Sequence, residues 1–139
     1  MTSISIIENK ISQIKKYVKI IKRLSKFSKK EIINDELVRG SVERHLYLVC
    51  QACIDLANMI VSFKKERKPL DQKDNFLILV EEKIISRGVA ETMIKLVGFR
   101  NVLAHEYTKV NYDIVVDVLN AGVKDIEKYI SVIDKKILK

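Results

Sequence analysis

Apolar residues recur along this chain at intervals of three and four. Ile4, Ile7, Ile11, Ile14, Val18 and Ile21 form one such seam, and a helical period places them all on one side of a first helix. A longer stripe carries Val38, Val42, Leu46, Val49, Cys53, Leu56, Ile60 and Phe63, with Asp35 positioned to start this second helix. The run Lys64-Lys-Glu-Arg-Lys-Pro69 ends it, because proline disfavours helical geometry in the residue before it. Between the two, Ser28-Lys-Lys-Glu31 has the spacing of a capping box and opens a short helical turn through Ile33. Phe76 to Ile85 predicts a short third helix, and Ser86 is placed to cap a fourth over about Val89 to Leu103. The segment His105-Glu-Tyr-Thr-Lys-Val110 breaks the pattern. Asn111 then caps a last helix, with Ile114, Val118, Ala121 and Ile126 expected to face inward.

No stretch alternates long enough to be a strand, and Phe76 to Val80 is too short to build a sheet alone. One proline and four glycines also leave few turns for any many-stranded fold. The expected architecture is all-α: one domain over residues 1–139, an antiparallel up-and-down bundle of about five helices, with the first, second, fourth and fifth forming its body. The seams on the first two helices can also serve a dimer interface, and periodicity does not separate packing within one chain from packing between two.

Composition adds a charge asymmetry. The 139 residues carry 26 Lys plus Arg against 18 Asp plus Glu, a net charge of +8. Nine of the bases lie between Lys10 and Lys30 with no acid among them, which leaves the rest of the chain near neutral. Such a stretch attracts a polyanion without specifying its sequence, or it is simply the solvated face of a helix. The two cysteines, Cys50 and Cys53, sit in an apolar run with no second pair and no histidine cluster; they are expected to be core thiols in a reducing cytoplasm, not a zinc site. No secretory signal is visible at Met1-Thr-Ser-Ile-Ser, and no uninterrupted apolar run approaches the length of a membrane span, so neither export nor a membrane partner is expected.

Many enzyme signatures are missing: there is no phosphate loop, no dinucleotide glycine fingerprint, no His-Glu-x-x-His and no Gly-x-Ser-x-Gly. Only two histidines are available for proton transfer near neutral pH. His45 lies among apolar neighbours on the second helix and is expected to be a packing residue. His105 lies where a helix ends, in Gly98-Phe-Arg-Asn-Val-Leu-Ala-His-Glu-Tyr107. A histidine there can simply complement the helix dipole. Asn101 is four residues earlier, on the same face, where its amide can orient the imidazole. Arg100 is five earlier, about 140° around an ideal helix, so that meeting one phosphate needs a long arginine, a relaxed helix end or a second copy of the motif. Arginine supplies a permanent cation for phosphate oxygens and histidine exchanges a proton near pH 7, a pair sufficient for RNA cleavage without a metal or other cofactor.

The segment Arg100-Asn-Val-Leu-Ala-His105-Glu-Tyr107 resembles the Arg-x4-His-x-Tyr motif of the HEPN superfamily, specifically its HepT-like toxin branch. Glu43-Arg44 through Gln51-Ala-Cys-Ile-Asp55-Leu-Ala-Asn58 is similar to the family's second helix, and Gly98-Phe-Arg-Asn101 to the usual lead-in. The resemblance implies a metal-independent endoribonuclease toxin, with Arg100 and His105 catalytic and Asn101 supporting. It also implies a homodimer whose cleft brings two motifs together, and a minimal nucleotidyltransferase antitoxin that attaches AMP to Tyr107. Phosphates placed there would occupy the RNA phosphate site and add repelling charge. Arg44 and Asp55 match helix positions near the expected cleft. Two other readings stay open: a non-catalytic module that docks a nucleotidyltransferase or nucleotide, with Tyr107 as its working residue, and a purely structural bundle.

Overall fold

The computed structural model describes residues 3–105 and 107–138. Helix α1 spans Ile4–Leu24, α2 Lys29–Asn34, α3 Glu36–Phe63, α4 Gln72–Glu81 and α5 Arg87–His105; a 3-10 turn over Tyr107–Lys109 leads to α6 (Tyr112–Asp117) and α7 (Val123–Ile133). No strand occurs among the described residues. Helix α3 is the centre of the bundle, packed against α1, α5, α4 and α2. Lys10 of α1 lies 3.8 Å from Asp55 of α3, so these two long helices run antiparallel. Arg100 of α5 lies over Tyr47 of α3, which makes that pair antiparallel as well.

The polar punctuation works as the sequence predicts. Ser28 and Glu31 form a reciprocal capping box, with Ser28 N–H donating to Glu31 Oε1 at 3.0 Å and Glu31 N–H to Ser28 Oγ at 3.2 Å. Asp35 accepts from the backbone of Leu37 and Val38, Ser86 from Val89, and Asn111 from Asp113 and Ile114. Each cap satisfies donors that a helix start otherwise leaves without partners. Helix α4 starts earlier than its apolar run, at Gln72, because Asp71 accepts from Asp74 N–H at 2.8 Å and caps it.

Both apolar stripes are core except at their ends, where Ile4 is exposed and Val38 and Phe63 are half-buried. Ile7, Ile11, Ile14, Val18 and Ile21 of α1 are buried against Val42, Leu46, Val49, Cys53, Leu56 and Ile60 of α3 and their neighbours. Helix α3 has the length and apolar composition of a bilayer-crossing helix, yet 56% of its most apolar window is buried inside the bundle. Cys50 and Cys53 are buried free thiols, and burial pushes Cys50 up to about 12 despite the opposing pull of Arg100.

The last helical arm departs from simple periodicity. A π-turn spans Val118–Gly122, its closing bond running from Val123 N–H to the Val118 carbonyl. A π-turn holds an extra residue, so it rotates everything beyond it relative to the α-helical register. Ile114, before this turn, and Ala121, within it, are both exposed, contrary to the spacing argument, because the buried face runs one position later, through Val115, Val118, Leu119, Gly122, Val123, Ile126, Tyr129 and Ile130. Gly122 suits this turn: a Cβ there would lie 3.0 Å from Val118 Cγ1.

Tyr129 is fully buried, edge-on to Phe76, with its hydroxyl donating to the Cys53 carbonyl at 3.0 Å. Tyr129→Phe keeps the packing and removes one buried bond, so calorimetry is expected to show a loss of about 1 kcal/mol and a melting point lower by a few degrees. The loop after α3 is clamped by Arg67, which donates to both Asp74 oxygens (2.6 and 2.9 Å) and to Glu81. Asp74 also accepts from Leu70 N–H, and these bonds, the guanidinium first, hold its carboxyl at about 2, below the ordinary 3.8. A depressed carboxyl stabilises the fold above its unfolded value and loses that contribution as pH falls toward 2. Asp74→Asn is expected to lower the urea midpoint at pH 7 and to flatten its decline between pH 4 and pH 2.

Candidate functional site

A shallow depression of about 500 Å³ lies where the end of α5 meets the first half of α3, lined by Gly40, Glu43, Arg44, Tyr47, Leu103, Ala104 and His105. The α3 contribution follows from helical spacing. Residues 40, 43, 44 and 47 fall on one face, beside the buried stripe of Val42, Leu46 and Val49. Gly40 adds no side chain to that face. The α5 contribution is its final turn, where His105 is exposed and opens into the depression.

Arg100 is half-buried one turn earlier, with its guanidinium carbon 5.4 Å from the centre of the Tyr47 ring. A cation held over an aromatic face is attracted by the ring quadrupole, more strongly where water is excluded. Arg100 Nη1 donates to Asn101 Oδ1 at 2.8 Å, while its Nε–H is buried with no acceptor among the described residues. The ring and the amide hold the guanidinium against α3, and Tyr47 also lines the depression that His105 enters. Around an ideal helix Arg100 and His105 diverge, and Tyr47 of the facing helix is the residue that contacts the arginine and lines the depression with the histidine.

The structure revises one part of the sequence-based picture and extends another. Asn101 engages Arg100, and no hydrogen bond joins it to His105 among the described residues; its supporting contact is to the guanidinium. Arg44 lines the depression, whereas Asp55 lies three turns farther along α3, bonded to Gln51 at 2.9 Å. Tyr107 opens the 3-10 turn just beyond His105, and its side chain, like the whole of Glu106, lies outside the described residues. His45 is away from the site, its Nδ1 bonded to the Ser41 carbonyl at 2.7 Å. Tyr47 was not singled out by sequence reasoning. The signal that could have found it is the run of small and polar positions 40, 43, 44 and 47 beside the apolar stripe.

Glu43 ties the depression to the last arm by accepting from the Tyr112 hydroxyl at 2.6 Å. Burial first, and then the Glu43 carboxylate, push the Tyr112 phenol up to about 12. A phenol raised in the folded state stabilises the fold below its unfolded value of about 10 and loses that contribution as pH climbs through the folded one. The urea midpoint is therefore expected to fall between pH 10 and pH 12, and Tyr112→Phe to make that fall shallower.

The family described as Ribonuclease HepT-like matches residues 8–133 of this chain. An mRNA nuclease HepT of Shewanella oneidensis is 35% identical over 132 residues, covering 92% of this chain and 96% of that protein. A tRNA nuclease HepT of Aphanizomenon flos-aquae is 26% identical over 140 residues, covering 99% and 95%. Among solved structures, a tri-AMPylated HEPN toxin of Shewanella oneidensis in complex with MNT antitoxin superimposes with a TM-score of 0.88 at 33% identity, over 96% of this chain and 100% of that one.

Proposed function

This chain belongs to the HepT-like ribonuclease family, and from that premise we propose that it is the toxin of a toxin–antitoxin pair, an endoribonuclease whose working residues are Arg100 and His105. The observation that supports the assignment of residues is Tyr47, whose ring carries the Arg100 guanidinium on α3 and also lines the depression into which the exposed His105 opens. Residues 1–139 act in this reading as one HEPN-like unit in the cytoplasm. Two copies pair so that two such depressions form one cleft.

The chemistry follows from what each group does. Arg100 presents fixed positive charge to the non-bridging oxygens of an RNA phosphate, where negative charge builds as the phosphorus becomes five-coordinate. His105 as neutral imidazole takes the proton from the ribose 2′-hydroxyl, whose oxygen attacks phosphorus and forms a 2′,3′-cyclic phosphate. The bond to the 5′-oxygen breaks, and that oxygen takes a proton from an acid, which the partner copy's imidazolium can supply. No step needs a metal ion. Tyr47 keeps the guanidinium from folding back over the end of α5, and Asn101 fixes its rotation.

A nucleotidyltransferase antitoxin is the proposed partner, and Tyr107 the residue that it AMPylates. Support comes from the AMPylated HEPN toxin found with MNT antitoxin, together with the position of Tyr107 in the turn directly after His105. An AMP group there brings phosphate charge to the cations of the depression and competes with RNA for them.

Cleavage of total cellular RNA in EDTA tests the reading, using protein whose mass shows no AMP adduct. The parent is expected to cleave. His105→Ala is expected to lose activity by about 100-fold or more, and Arg100→Ala by a similar factor, both with an unchanged helical circular-dichroism spectrum. Full activity in His105→Ala overturns the assignment of that residue, and an inactive unmodified parent overturns the nuclease reading in favour of a docking module.

A further inference from the structure

The basic stretch that the catalytic residues leave unexplained is a continuous surface. From Gln13 to Arg23 the exposed positions of α1 are Gln13, Lys15, Lys16, Lys19, Lys22 and Arg23, so nearly all of this face is cationic. Lys26, Lys29 and Lys30 extend it, all exposed, through the turn into α2. Three bases of the stretch are neutralised within the chain: Lys10 by Asp55, Lys22 by Glu127 at 2.8 Å and Lys29 by Asp113 at 3.0 Å. Lys15, Lys16, Lys19, Arg23, Lys26 and Lys30 make no ion pair among the described residues. Lys15, Lys16, Lys19 and Lys22 line one wall of a groove of about 540 Å³ between α1 and the last arm, with Glu127 and Asp134 opposite.

This surface is connected to the catalytic end of the bundle. The Lys29–Asp113 pair sets α2 against α6, and the next residue, Tyr112, bonds Glu43 in the wall of the depression. Because α1 runs antiparallel to α3, the cations lead away from that end along the length of α1. We infer that the exposed cations from Lys15 to Lys30, on α1, the turn after it and the start of α2, are a binding track for the RNA phosphate backbone outside the cleavage site. The inference rests on the ribonuclease reading above.

Charge and surface character favour nucleic acid over a protein partner. Protein interfaces are anchored by aromatic and apolar side chains and are depleted of lysine. The exposed large apolar residues of α1, Ile4 and Ile6, both lie before the track begins. A row of flexible lysines gains affinity for a polyanion by releasing its counterions and reads no base edges. The track would therefore tighten binding to any RNA long enough to leave the cleft, while the cleft itself chooses the bond.

The test compares two triple variants in a His105→Ala background, which removes cleavage from the measurement. One carries Lys15→Gln, Lys16→Gln and Lys19→Gln. The control carries Lys64→Gln, Lys68→Gln and Lys73→Gln, the same charge change at exposed positions away from the track. Fluorescence anisotropy with a labelled single-stranded RNA is read across a salt series. The track variant is expected to bind at least 10-fold more weakly at low salt, with a slope of log affinity against log salt smaller by about 2, near 0.7 for each lost phosphate contact. The control is expected to match the parent. Equal losses in both variants overturn the proposal in favour of net charge alone. Unchanged RNA binding by the track variant also overturns it, and a simultaneous loss of nucleotidyltransferase binding would reassign the face to the protein partner. The catalytic reading stands or falls separately, on cleavage by protein that retains His105.

Discussion

Burial of α3 from several sides is the constraint on which the molecule depends. Its stripe from Val42 to Ile60 is covered by α1, α4 and α5, so α3 can neither rotate nor slide without exposing apolar surface. Near its start Gly40, Glu43, Arg44 and Tyr47 line a depression that the end of α5 borders. The position of the depression is thus a by-product of how the core is filled. Placing the site on two packed helices, rather than on a mobile loop, limits how far Arg100 and Tyr47 can drift apart.

The electrostatics of this region are set by competition between desolvation and charge. Cys50 feels the positive charge of Arg100, which by itself would favour a thiolate. Burial outweighs that pull and drives the thiol up to about 12, so it stays protonated beside the guanidinium. Arg100 is half-buried with an aromatic face beneath it and an amide oxygen beside it. A lysine would reproduce neither the stacked contact nor the forked presentation to phosphate. Glu43, the nearby acid in the depression, is engaged by Tyr112.

Charge is also sorted on a larger scale. The excess of positive charge resides in the first two helices, and the acids of the last arm, Glu127 and Asp113, each take up one of those cations. Those pairs are exposed and contribute little to stability. The Lys22–Glu127 pair joins α1 to α7, and the Lys29–Asp113 pair joins α2 to α6. The remaining cations stay available on one side of the bundle.

Helix periodicity and cap chemistry are local properties, which is why they could be read directly. The stripes of α1 and α3, the Ser28–Glu31 box and the caps at Asp35, Ser86 and Asn111 all appear where spacing places them. The Arg100-to-Tyr107 segment was legible as a family resemblance, and its helix end was legible from the broken pattern. Other features depend on groups far apart in the chain. Ile114 and Ala121 face outward because packing against the other helices buries Val115 and Gly122 instead, and local composition offers both faces. The contact of Tyr47 with Arg100 joins residues 53 positions apart, and Asn101 chose the arginine over the histidine once α3 had fixed where the guanidinium lies. By itself, then, the sequence determined which segments are helical, where they begin and which faces are apolar, since those are decided within a few residues. Only the tertiary structure decided which polar groups meet, because that depends on how the buried faces of separate helices fill one core.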